Sequence, residues 1–89
     1  MLEVTEAARG RLLSKLVAKK ARNDEAWRFT RRKNGWKLLL DHAGPNDTML
    51  AYEGRNVLLL DADVSRKMTR MTLDAPLVES TPRLTLRTE

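Results

Sequence analysis

Residues 28–42 read RFTRRKNGWKLLLDH, two alternating runs on either side of Asn34-Gly35. Asn-Gly takes the two positive φ angles of a type I′ turn more readily than most pairs, so this stretch is expected to close as a tight β-hairpin. With Asn34 and Gly35 as the loop, Lys33 faces Trp36 and the register runs back to Trp27 opposite His42. One face then carries Trp27, Phe29, Arg31, Leu38, Leu40 and His42, and should meet the core. The other places Arg28 opposite Asp41, Thr30 opposite Leu39 and Arg32 opposite Lys37, and should meet solvent. Trp36, beside the turn, suits either side.

Other elements follow from caps and periodicity. Thr5 suits the N-cap of a helix over 5–22, TEAARGRLLSKLVAKKAR, with Glu6 in the first turn and Lys19, Lys20 and Arg22 at the negative end. Leu12, Leu13, Leu16 and Val17 form its apolar stripe, while Arg11, Lys15, Lys19 and Arg22 share another face. Residues 48–52 (TMLAY) and 55–60 (RNVLLL) read as strands joined at Glu53-Gly54. The run Val57–Leu60 is apolar on both faces, which predicts a central strand covered on both sides. Asp61 can cap a short helix over 62–68. Strands are expected at 72–78, where Pro76 points to an edge or bulge, and at 84–87. Helix, four strands, short helix and two strands make an α+β domain with an antiparallel sheet.

A chain of 89 residues with 42% hydrophobic content supports one core and a single domain over 1–89. No apolar run approaches the roughly 18 residues of a membrane span, and Glu3 and Glu6 stand where a secretory leader would be basic and then apolar. A cytoplasmic location without membrane contact is the expectation. There is no cysteine, so the chain offers no disulfide, thiolate metal site, cysteine nucleophile or sulfur ligand for an iron–sulfur cluster. The net charge of +5 is uneven: residues 1–44 hold 11 of the 17 Lys and Arg but 5 of the 12 Asp and Glu. Such asymmetry marks either a solvated surface or contact with nucleic acid or an acidic protein.

Two segments, VTEAARGRLLSKLVAKK and NDTMLAYEGRNVLLLDADVSRKMTRMTLD, resemble the opening and middle of the A-type iron–sulfur carriers, the HesB-like or IscA-like family. In the second, residues 46–74, an acidic turn leads through a strand, an acidic-Gly turn, an apolar strand, a helix and a Thr-Leu-Asp strand. The resemblance implies a HesB-like antiparallel, strongly curved sheet, a pseudo-barrel, with an N-terminal helix and a short second helix. Members of that family carry one cysteine in a Gly-rich loop after the first long strand and a Cys-Gly-Cys near the C-terminus. Here Lys33-Asn34-Gly35-Trp36 stands where the loop would project, and LTLRTE, residues 84–89, where the pair would follow. The resemblance therefore implies the scaffold, but no cofactor or metal ligand carries over.

His42 is the single histidine, with Asp41, Asp47, Asp61 and Asp63 near it in sequence. These groups could hold iron or zinc if the strands converged; otherwise His42 caps the sheet face and Asp61 and Asp63 begin a helix. No nucleophile–base pair and no phosphate-cradling glycine loop is present, so neither an enzyme nor a small-molecule substrate is expected. The candidate contacts for an anionic partner are Arg28, Arg32 and Lys37 on the hairpin and Arg11, Lys15, Lys19 and Arg22 on the helix. Opposed Arg32 and Lys37 would cost stability unless an anion screened them. The two basic rows are expected to point in different directions, which argues against one nucleic-acid groove. The leading reading is a non-catalytic, cysteine-free protein-interaction or regulatory module. The alternatives are low-specificity nucleic-acid binding and an accessory role in iron–sulfur cluster biogenesis, with self-association through the edge near Leu84–Arg87 allowed by each.

Overall fold

The run Val57–Leu60 lies at the centre of a sheet, and each of its side chains is at most 1% exposed. In the computed structural model, which describes residues 2–88, the order is β1 (Glu3–Val4), α1 (Glu6–Ala18), β2 (Glu25–Arg32), β3 (Gly35–His42), β4 (Thr48–Tyr52) and β5 (Arg55–Leu60). Then come α2 (Ala62–Lys67), β6 (Met71–Asp74), β7 (Leu77–Val78), β8 (Thr81–Pro82) and β9 (Thr85–Thr88). One sheet has the order β3-β2-β5-β4, a second β1-β6-β9, and β7 and β8 form a small hairpin.

The α+β class holds, but the wholly antiparallel sheet does not: β2 pairs with β5 in parallel, as β1 does with β6. The reason is topological. Residues 43–47 carry the chain across the sheet so that β4, on the far edge, runs in the same direction as β3, and their antiparallel partners β2 and β5 are therefore parallel to each other. The described strands form separate sheets rather than a closed barrel.

Helix α1 covers one face of β5. Thr5 caps it as expected, its Oγ1 accepting from Ala8 N at 3.1 Å and donating to Asp74 Oδ1 at 2.8 Å, which ties the helix start to β6. Ala8, Leu12 and Leu16 are fully buried against Trp27, Phe29, Val57, Leu58 and Leu60. Buried Trp27 Nε1 donates to the Leu12 carbonyl at 3.1 Å, which locks the helix over β2. A register shift between β4 and β5 makes Val57 an extra residue, so that Val57 and Leu58 both join the cluster. Val17, assigned to the apolar stripe by spacing, is 67% exposed instead, because the stripe that packs is Ala8, Leu12, Leu16 with Leu13 at its margin.

The helix ends at Ala18 rather than at residue 22. Lys20 is left-handed (φ 55°), and Ala21 N donates to Leu16 O while Lys20 N donates to Val17 O, both at 3.0 Å. This is a Schellman cap, formed without its usual glycine. Asp61 caps α2 as expected, accepting from Val64 N at 2.8 Å. The strand expected over 72–78 breaks after Asp74, where Ala75-Pro76 separates β6 from the β7–β8 hairpin, because proline cannot donate to a ladder.

The Asn34-Gly35 hairpin forms with a different loop. Arg32 pairs with Gly35 and Glu25 with His42, so the chain reverses at Lys33-Asn34. Neither loop residue has positive φ; Gly35, at +124°, carries the strained conformation that costs it nothing. This register is displaced by two residues from the expected one, which preserves every face because side chains alternate with period two. It does change partners: Lys37 lies opposite Thr30, so the Arg32–Lys37 opposition does not occur.

Residues 43–47 carry the chain from the β3 edge to the β4 edge, over the face away from α1. Arg28 on β2 anchors this crossing. Its Nη1 donates to Asp47 Oδ1 at 2.9 Å, its Nη2 to Asp47 Oδ2 at 2.5 Å, and its Nε to Asp41 Oδ2 at 2.8 Å. Gly44 N also donates to Asp47 Oδ2, and a Cβ on Gly44 would come within 3.3 Å of that oxygen.

Lys20→Gly should raise stability by about 0.5–1 kcal/mol, read as a higher urea midpoint at unchanged slope, since glycine enters the left-handed region without a Cβ penalty. The Arg28 guanidinium, above all, holds the Asp47 carboxyl down at about 2. An unfolded aspartate titrates near 3.9, so this contribution is complete above about pH 4 and is lost as pH falls toward 2. Asp47→Asn should therefore cost about 2 kcal/mol at pH 7, and urea titrations should show the difference vanishing near pH 2.

Candidate anion-binding groove

α1 packs on β2, β4, β5 and β6 and leaves the β3 side of the sheet uncovered. An open groove of about 1110 Å³ lies there, between the β3 edge and the β8–β9 segment, with α1 at its flank. Its floor is apolar: Trp27, Phe29, Trp36, Leu38, Leu84 and Leu86. Trp36 takes the core face, stacked edge-on against Phe29 at 6.2 Å and with the Arg31 guanidinium 5.1 Å from its ring centre.

Cations border this floor. Arg11, Lys15 and Lys19 reach it from α1 because residues four apart share a helix flank. Lys37 borders it at the β3 edge and Arg83 beyond β8; the one carboxylate on the border among the described residues is Glu79. None of these five cations forms an ion pair among the described residues. Arg11 Nε is buried and has no hydrogen-bond partner among the described residues.

The seven candidate cations thus separate. Arg11, Lys15 and Lys19 line one groove, whereas Lys37 reaches only its rim, because it alternates with Trp36 and Leu38 and lies on the sheet face of Arg28; the helix row and the hairpin row face different ways. Arg28 is committed to Asp41 and Asp47, which raise its pKa and leave it 17% exposed. Arg22 lies beyond the end of α1, its N–H donating to Glu25 Oε1 at 2.8 Å, and Arg32 sits exposed next to the hairpin loop, away from the groove lining.

Arg83 and Arg55 were not singled out by sequence. Arg55 donates through Nη2 to the carbonyls of Ala21, Arg22 and Glu25, with Arg22 O at 2.7 Å, and so holds the α1–β2 connection. A lone arginine at a strand start carries no local sign of that role. Arg83, four residues before Arg87 on a short alternating strand, likewise reads as an ordinary surface residue.

The donor set does not fit a metal cluster. The chain has no thiolate, and the His42 imidazole, 62% exposed, meets Asp24 at 3.2 Å, while Asp41 reaches His42 only at its backbone N–H. Among the described residues no three His, Cys, Asp or Glu side chains gather as a metal site, and no helix is long and apolar enough to cross a membrane.

No protein-family model matches the sequence, and no curated protein matches it significantly. Among solved structures, the chain is similar to IscA, in a crystal structure with a [2Fe-2S] cluster. The TM-score is 0.60 at 16% identity, over 99% of this chain and 85% of that one. At that identity the likeness is one of fold: the chain has an IscA-like fold.

Proposed function

We propose that this chain is a cysteine-free relative of the A-type carriers that works as a non-catalytic protein-binding module and carries no cluster of its own. The observation that carries this reading is the pairing of an IscA-like fold over 99% of the chain with a sequence that lacks any cysteine. The fold supports descent from that scaffold; the missing thiolates remove the ligands its chemistry would use. A role beside cysteine-bearing proteins in cluster biogenesis is compatible with the same reading and rests on the fold alone. Anaerobic incubation of the purified protein with ferrous iron and sulfide, followed by desalting, is expected to return colourless protein without bound iron or acid-labile sulfide. A stable visible chromophore with stoichiometric iron would overturn the reading.

Low-specificity nucleic-acid binding is the second reading, favoured by the row Arg11, Lys15 and Lys19 along one groove with Lys37 at its rim. It predicts that log affinity for a short single strand falls linearly with log salt, and that Lys15→Glu with Lys19→Glu lowers affinity alike for every sequence. Fluorescence anisotropy across a salt series measures both, and no binding at low salt would remove this reading.

A further inference from the structure

The outer side of β3 has no strand partner among the described residues: the sheet order is β3-β2-β5-β4, and the eight residues Gly35–His42 border the groove along Trp36–Leu40. An unpaired edge presents a row of N–H and C=O groups ready to pair with another chain. Beside it lies an apolar floor, and beyond the floor stand Arg11, Lys15 and Lys19, with no acidic partner and with Arg11 Nε buried and unbonded among the described residues. We propose that this edge takes an extended, acidic segment of a partner protein as an added strand. Backbone bonds to β3 would hold it. Its groove-side residues would meet Trp36, Leu38 and the α1 cations, and its opposite side would meet Lys37.

Charge complementarity selects this occupant over the others. A second copy of this chain carries the same net +5 and would set Lys37 and the α1 cations against their own kind. A cation on an edge strand commonly blocks stray pairing; here the same charge admits an acidic strand and rejects a basic one. A nucleic acid would satisfy the cations but would leave the β3 backbone unpaired and the floor of Leu38, Leu84 and Leu86 against sugar and phosphate.

This inference names the partner class for the module proposed above and rests on that reading. The test is anisotropy titration of the full chain with a fluorescein-labelled peptide of about eight residues, the length of β3, whose groove-side positions carry both Leu and Glu and whose alternate positions carry Thr and Glu. Saturable binding is expected, weakened roughly tenfold by Lys15→Glu with Lys19→Glu, whose fold is checked by circular dichroism. N-methylation at alternate peptide positions should abolish binding in one phase and spare it in the other, and bound peptide should slow amide exchange along β3. No binding, equal binding by both methylated peptides, or unchanged β3 exchange overturns the proposal, as does complete displacement of the peptide by an equal concentration of oligothymidine. If the peptide fails while reconstitution yields no cluster, the strand partner alone is lost. A cluster chromophore removes the functional reading whatever the peptide does.

Discussion

β5 must be covered on both faces. Val57, Leu58, Leu59 and Leu60 would each forfeit about 1.5–3 kcal/mol if left in water, and the rest of the molecule is arranged around avoiding that. α1 supplies one cover through Leu12 and Leu16. On the other face Leu59 lies in a row across the sheet with Leu39, Arg28 and Met49, under the crossing of residues 43–47. An arginine in such a row is costly unless its charge is matched, and Asp41 and Asp47 match it. The acidic turn thus serves two ends. It brings the chain from one edge of the sheet to the other, and it neutralises the one cation that the second cover requires.

The groove is the counterpart of that arrangement. With α1 centred over β5, its apolar stripe reaches Trp27 but not the β3 side, so Trp36, Leu38 and Leu40 are only partly buried. In the second sheet β9 pairs with β6, which brings Leu86 and the adjoining Leu84 to the groove floor. What remains is an apolar channel beside an open strand edge, with the basic flank of α1 along it. A Schellman cap ends that flank at Lys19, which is why Arg22 leaves the row that helical spacing assigns to it.

Much of this architecture is legible in the chain. Thr5 and Asp61 cap their helices, the alternation of residues 27–32 and 35–42 sets which side chains face the core, and Val57–Leu60 announces a central strand. The hairpin register is not legible, because a displacement of two residues leaves the face pattern unchanged and only the φ angles of Lys33, Asn34 and Gly35 distinguish the two loops. The end of α1 is hidden for a similar reason: Lys20 takes a conformation that its identity does not advertise. Among the candidate cations, Arg28 is set apart in part by the sequence, since Asp41 lies across the hairpin from it, but its pairing with Asp47 and the groove position of Arg11, Lys15 and Lys19 carry no local sign.

What the sequence determined alone is chemical and periodic: no cysteine and so no thiolate ligand, an excess of cations in the first half, and the faces of its helices and strands. These depend on residue type and on spacing within a single element, and both can be read without knowing the fold. The tertiary structure decided the parallel pairing of β2 with β5, the commitment of Arg28 to Asp47 and the meeting of Arg11, Lys15 and Lys19 with the β3 edge. Each joins residues roughly twenty to thirty positions apart, where the partner is chosen by which elements share the core and not by any neighbour in the chain.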